Sequence, residues 1–222
     1  LKGAYLKPIF AKGMIVLPRL YAILDAGCFP STDELIAAAE ELVAAGATLL
    51  QYRNKSGNAR VMLEHTRELR RLSRARAPAL QVRLIMNDRA DLCLAAEFDG
   101  VHVGQEDLSP ESVRAIIGPD RWLGVSTHNP EQLREADLTS ADYLAIGPVF
   151  ATSSKDKPDP VVGLEGVRRA RALTRKPLVA IGGITRANAA SVIEAGADSV
   201  AVISDLLRGP RKSAEEFFRV LR

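Results

Sequence analysis

Three polar residues, Gln51, Arg53 and Lys55, stand two positions apart. In a strand that period puts them on one side, where one amide and two cations converge as a clamp for an anion. Two further apolar runs end in Asn87-Asp88-Arg89 and Gly104-Gln105-Glu106-Asp107. If the fold makes those run ends neighbours, Asp88 and Asp107 can share a hard cation. Mg2+ characteristically takes one or two carboxylates and completes its shell with water and phosphate oxygens. Cations beside carboxylates therefore point to a metal-bound pyrophosphate. Two other readings stay open. The pair could be the acid and base of a glycoside hydrolase, although neighbouring Arg and Lys favour two ionised carboxylates over a proton donor. Each Asp could also cap the helix after it.

A second group of residues suits a phosphate. Ser126 follows Gly124-Val125, and Thr152, Ser153, Ser154 and Lys155 open a stretch rich in Ser, Lys, Asp and Pro that runs to Pro160. That composition reads as a mobile lid. Gly182-Gly183 and Ile203-Ser204-Asp205 each end an apolar run, and each is expected to open a helix. Glycine lets backbone N–H groups approach an anion, and a helix N-terminus adds roughly half a positive charge. Two anion sites are thus expected, one multiply charged and metal-assisted, the other for a single phosphate. His65, on an expected outer helix, and His102, within a strand, read as structural. His128 sits at a strand end, but no Ser/His/Asp or Cys/His arrangement can be assembled around it.

Such groups need a scaffold that delivers strand ends to one place. Eight apolar or β-branched runs, at 19–24, 48–53, 83–88, 100–104, 122–127, 143–150, 178–184 and 199–204, alternate with helical segments. This is the pattern parallel strands require, because each crossover must bring the chain back to the same edge. Segments 33–45 and 186–195 show helical spacing, with Thr32 or Asp33 as N-cap and Gly46 or Gly196 as the stop. The phrase Ala-Ala-Gly-Ala-Thr at 44–48 returns as Glu-Ala-Gly-Ala-Asp at 194–198. Repetition and the count of eight predict an α/β chain folded as a single (β/α)8 TIM barrel, with chemistry at the C-terminal strand ends. A doubly wound open sheet fits less well, since no G-x-G-x-x-G opens a helix after the first run.

Composition bounds the rest. The 222 residues are 47% hydrophobic, enough for one domain with a sizeable core. The net charge of +3 comes from 30 basic and 27 acidic residues spread along the chain, and aromatics are 5%, so a nucleic-acid surface is not implied. Cys28 and Cys93 lie far apart and read as two reduced thiols. No run approaches the ~18 apolar residues of a membrane span. Residues 1–18 show no secretory cleavage pattern and read as an N-terminal extension to a catalytic domain at 19–222, with Met14 an alternative start. A cytoplasmic protein acting on small molecules is expected, with a homo-oligomer left open.

From 19 onward the chain resembles the thiamine phosphate synthase (thiamine-phosphate pyrophosphorylase) family. The motifs carrying the likeness are Gln51-Tyr52-Arg53-Asn54-Lys55, Asn87-Asp88-Arg89, Asp99-Gly100-Val101-His102-Val103-Gly104-Gln105-Glu106-Asp107, Gly124-Val125-Ser126, Gly147-Pro148-Val149-Phe150 with Thr152 and Lys155, and Ile181-Gly182-Gly183-Ile184. The resemblance implies a transferase of thiamine biosynthesis that joins 4-amino-2-methyl-5-hydroxymethylpyrimidine diphosphate to a thiazole phosphate with release of pyrophosphate. It implies Mg2+ on Asp88 and Asp107, and a pyrimidine diphosphate held by Gln51, Arg53, Lys55, Asn87, Ser126 and Lys155, with Tyr52 and Asn54 in the same binding motif. It implies a thiazole phosphate lined by Thr152, Ser153, Ser154, Gly183, Ile203 and Ser204, and catalytic roles for Arg53, Lys55, Ser126 and Lys155. The alternatives are a thiazole tautomerase-like isomerase on the same barrel, which needs no metal-pyrophosphate site, and a non-catalytic phosphate-ligand binding module.

Overall fold

The computed structural model describes residues 15–76, 79–152 and 159–222. Eight parallel strands close on themselves in sequence order: β1 Leu20–Asp25, β2 Leu49–Arg53, β3 Arg83–Asn87, β4 Gly100–Val103, β5 Trp122–Thr127, β6 Tyr143–Ile146, β7 Leu178–Ile181 and β8 Ser199–Val202. Closure is made by β8 against β1, with Leu20 opposite Val200 and Ala22 opposite Val202. Outside the strands lie α1 Thr32–Ala44, α2 Ala59–Arg76, α3 Ala90–Ala95, α4 Pro110–Ile117, α5 Pro130–Asp137, α6 Gly163–Leu173, α7 Ala189–Glu194, α8 Ser204–Leu207 and α9 Pro210–Val220. This is the (β/α)8 barrel that the eight runs predicted.

Each strand is buried on both faces, which is why the runs are almost continuously apolar instead of alternating. Alternate residues still part company. Tyr21, Ile23, Leu49, Ile85, Trp122, Tyr143, Ala145, Val179 and Ala201 fill the inside of the barrel. Leu20, Ala22, Leu24, Leu50, Tyr52, Leu84, Met86, Val101, Val103, Leu123 and Val125 pack outward under the helices. Ile15 and Leu17, just before β1, join the inner cluster.

Five strands end earlier than the sequence suggests, two of them by three residues or more. The run 143–150 stops pairing as a strand at Ile146, before the Gly147-Pro148 step that lacks a donor, and the run 178–184 stops at Ile181. Gly182 and Gly183 turn the chain at φ of 98° and 63°, a region open to glycine at little cost. The two tails stay together regardless: Val149 N donates to Ile181 O at 2.9 Å and Phe150 N to Gly182 O at 3.0 Å. The cap of α1 also differs from expectation. Ser31, one residue before Thr32, accepts from Glu34 N at 3.2 Å. The helix expected from 186 begins at Ala189, because residues 182–188 form a turn in which Asn188 Oδ1 accepts from Thr185 N at 2.8 Å.

One device recurs at the N-terminal end of the barrel. Asp99, Asp142 and Asp198 each stand just before an even-numbered strand and accept the N–H of Leu84, Leu123 and Leu178 on the preceding strand, each at 2.8 Å. Each also pairs with an arginine of an outer helix: Arg70 of α2 at 3.1 Å, Arg114 of α4 at 2.8 Å and Arg171 of α6 at 2.8 Å. In the repeated helix-to-strand phrase, Thr48 occupies the place that Asp198 takes in the later copy. The repeated phrase therefore shares a turn, while the clamp between strand pairs belongs to Asp99, Asp142 and Asp198.

Candidate active site

The inward residues at the C-terminal strand ends line one cavity, to which Gln51, Arg53, Asn87, His102, Ser126, His128, Thr152, Gly183, Ile203 and Ser204 contribute. Strand parity brings Gln51 and Arg53 inward together, and it also corrects one expectation. Tyr52 lies between them in sequence and so points the other way. Its ring is 1% exposed on the helix side, where its hydroxyl meets His65 Nδ1 at 2.9 Å and accepts from Asn54 Nδ2 at 2.9 Å. Asn54 is likewise occupied, with Oδ1 accepting from Ser56 N at 2.8 Å. Both support the loop that carries Lys55 from behind the site.

The clamp residues are already paired. Arg53 forms an ion pair with Asp25, the last residue of β1, and Lys55 Nζ donates to Asp88 Oδ2 at 2.6 Å. Asp25 was not singled out in the sequence; its signal is a carboxylate ending the first strand, beside the strand that carries Arg53. Asp88 sits in the left-handed region at φ 62°, and its N–H donates to His102 O at 2.8 Å. Asp107 accepts from Gly104 N at 2.7 Å. Neither Asp caps a helix. Arg89 precedes α3 without a side-chain capping bond, and Ser109 caps α4 by accepting from Ser112 N at 3.2 Å.

Asp88 and Asp107 come together across the ends of β3 and β4. Burial raises the Asp107 carboxyl above its ordinary range; the Gly104 N–H opposes this, the adjoining Asp88 carboxylate adds to it, and Lys55 partly offsets it. Two neighbouring carboxylates are a fitting pair for a divalent cation, which would relieve their repulsion. No group of three or more His, Cys, Asp or Glu suited to a metal occurs among the described residues, so the donor set is a pair and not a full cage. A pair that leaves positions for water and phosphate oxygens suits Mg2+.

The opposite rim is built of backbone. Gly182 and Gly183 are held close to the loop after β6. A Cβ on Gly183 would meet Ala151 O at 2.5 Å and Phe150 Cβ at 2.7 Å. Ser204 opens the single-turn α8 directly after Ile203. Ser153, Ser154 and Lys155, with most of the expected lid, lie outside the described residues.

The three histidines divide differently from the sequence reading. His65 on α2 is buried between Tyr52 and Thr32, with Nε2 at 2.9 Å from Thr32 Oγ1, and burial lowers its pKa. His102, read as structural, instead points into the barrel and lines the cavity. Its Nε2 is 2.8 Å from Ser126 Oγ, and burial pushes its pKa down to about 4, which keeps the ring neutral. The overlooked signal was its parity: two residues from Gly100, in a strand whose valines face out. His128 Nδ1 lies 2.6 Å from Gly147 O, and its Nε2 lies 3.5 Å from Asp159. Cys28 is exposed and Cys93 buried, and both are free thiols. No helix among the described residues is long and apolar enough to cross a membrane.

Known proteins share both the sequence and this architecture. The family model for thiamine monophosphate synthase matches residues 20–206. The chain is 63% identical over 208 residues to the thiamine-phosphate synthase of Koribacter versatilis (strain Ellin345), covering 92% of this chain and 96% of that protein. It is 45% identical over 186 residues to that of Chloroflexus aurantiacus, covering 84% and 83%. Among solved structures, a thiamine phosphate pyrophosphorylase from Pyrococcus furiosus superimposes with a TM-score of 0.80 at 34% identity, covering 91% of this chain and 95% of that one. With the family model spanning nearly the whole barrel, the chain belongs to the thiamine monophosphate synthase family.

Proposed function

We propose that the barrel mouth joins 4-amino-2-methyl-5-hydroxymethylpyrimidine diphosphate to a thiazole phosphate, giving thiamine monophosphate and pyrophosphate. The observation that carries this reading is the meeting of Asp88 and Asp107, with Lys55 on Asp88, at the same strand ends at which Arg53 lines the cavity. Gly183, Ile203 and Ser204 line the same cavity and, in this reading, take the single phosphate. In this assignment Asp88 and Asp107 hold Mg2+, which when bound supplies counter-charge to the diphosphate.

The chemistry asked of the chain's own residues is electrostatic. As the C–O bond to pyrophosphate breaks, negative charge grows on the leaving oxygen, and Arg53, Lys55 and Lys155 stabilise it. The pyrimidine methylene cation left behind is captured by the thiazole nitrogen, which already carries its lone pair, so no protein base is needed. Gln51, Asn87 and Ser126 orient the pyrimidine, and the common cavity supplies the proximity of the two reactants. Small phosphorylated substrates fit a cytoplasmic enzyme. An isomerase on this barrel has no use for paired carboxylates with Lys55 upon them.

The test is to mix the pure protein with both substrates and follow pyrophosphate release with and without Mg2+. Release that depends on both substrates and on Mg2+ is expected, and Asp88→Ala should slow it by ~100-fold or more. No release above the enzyme-free rate overturns the assignment.

A further inference from the structure

Four hydrogen bonds run unbroken across the inside of the barrel and join two residues that face the cavity. Gln51 Nε2 donates to Tyr21 OH at 2.8 Å, and the hydroxyls of Tyr21 and Tyr143 meet at 3.0 Å. Tyr143 OH meets His102 Nδ1 at 3.1 Å, and His102 Nε2 meets Ser126 Oγ at 2.8 Å. The residues come from five strands, β1, β2, β4, β5 and β6. Tyr21, Gln51, His102 and Tyr143 are all buried, so solvent does not stand in for a missing partner. Gly124 admits the Tyr143 ring into this layer, since a Cβ there would fall within it. The chain is therefore a built feature of the barrel core and not a chance contact.

Counting protons gives the chain a direction. A hydroxyl has one proton to donate, and a neutral imidazole has one N–H and one lone pair. Because Gln51 donates to Tyr21, the Tyr21 proton goes to Tyr143, and the Tyr143 proton goes to His102 Nδ1. The imidazole proton is then on Nε2 and is donated to Ser126 Oγ. That leaves the Ser126 proton free to point into the cavity, opposite the carbonyl oxygen of the Gln51 amide. The only other order that satisfies every member turns the amide over and reverses every bond, with the proton on Nδ1 and the Ser126 proton committed to His102. The hydrogen-bonding characters of Gln51 and Ser126 are therefore set together.

We propose that Tyr21, Tyr143 and His102 are positioning residues that fix the polarity of the pyrimidine end of the cavity. With His102 in its Nε2–H form, the site offers an acceptor from Gln51 and a donor from Ser126. It thus selects a substrate group that presents a donor to the β2 side and an acceptor to the β5 side. The inference rests on the reading of Gln51 and Ser126 as substrate contacts.

Long-range 1H–15N spectra of the histidine-labelled protein near neutral pH read the tautomer directly, with the His102 signals identified by their loss in His102→Asn. Protonated Nε2 and bare Nδ1 are expected; a proton on Nδ1 overturns the proposal. Tyr143→Phe keeps the ring and removes the link. It should lower kcat/KM by about tenfold, the scale of one lost buried hydrogen bond. Added to Ser126→Ala, it should cost clearly less than it does alone, because part of its effect passes through Ser126. A slow Ser126→Ala variant on which Tyr143→Phe multiplies in full overturns the relay alone. Wild-type rates in both Gln51→Ala and Ser126→Ala would instead remove these residues from the substrate site, and the proposal falls with that reading.

Discussion

Replacing Asp142 by alanine tests the clamp that ties β5 to β6 at the end of the barrel away from the cavity. Its Oδ2 accepts from Leu123 N and from Arg114 Nη2, both at 2.8 Å, with the Asp and Arg side chains 15% and 18% exposed. Alanine removes the acceptor of a buried N–H, which costs about 1–3 kcal/mol, and a charge-assisted bond contributing about 1.5–3 kcal/mol. Arg114 keeps the carbonyls of Gly118, Arg121 and Ser140 at 2.9, 2.7 and 3.0 Å, and the pair is partly screened by solvent. The expected loss is therefore near the lower part of that sum, about 3 kcal/mol, or about 6–12 °C in Tm for a chain of this length. Asp142→Asn retains an acceptor without the charge and should lose about half as much. Asp99 and Asp198 are 28% and 45% exposed in the equivalent places, so their alanine variants should lose progressively less. Thermal and urea unfolding at unchanged m would measure this, and turnover per folded molecule should stay at the wild-type level. A cost below about 1 kcal/mol for Asp142→Ala, or a larger one for Asp198→Ala, would refute the reasoning.

Two further outcomes follow from the same geometry. Asp25→Ala removes the carboxylate that orients Arg53 and should lower kcat/KM for the diphosphate substrate by roughly tenfold or more, with Asp25→Asn milder; unchanged steady-state kinetics in both would take Asp25 out of the site. Burial lowers the His65 pKa below its reference of 6.5, so in this window the unfolded chain binds a proton that the folded chain does not. Its contribution to stability is complete above 6.5 and lost as pH falls below that value, and urea midpoints of His65→Gln should show a shallower acid decline than wild type.

The barrel was legible in the sequence because a parallel strand buried on both faces must be an apolar run, and eight such runs separated by helical spacing leave few alternatives. The repeated turn at Gly46 and Gly196 was legible for the same local reason, a left-handed φ at the end of a helix. Local pattern also drew attention to Gln51, Arg53, Asp88, Asp107 and Ser126, because charged and hydroxyl residues at the ends of apolar runs are conspicuous. What each of them touches was decided by strand order and stagger alone. Parity sent Tyr52 outward to His65, while the neighbouring strand brought Asp25 to Arg53. The line from Gln51 through Tyr21, Tyr143 and His102 to Ser126 joins residues up to 122 positions apart in single links. A hydrogen bond depends on atoms meeting within about 3 Å, and closure of the barrel, not spacing along the chain, brings those atoms together.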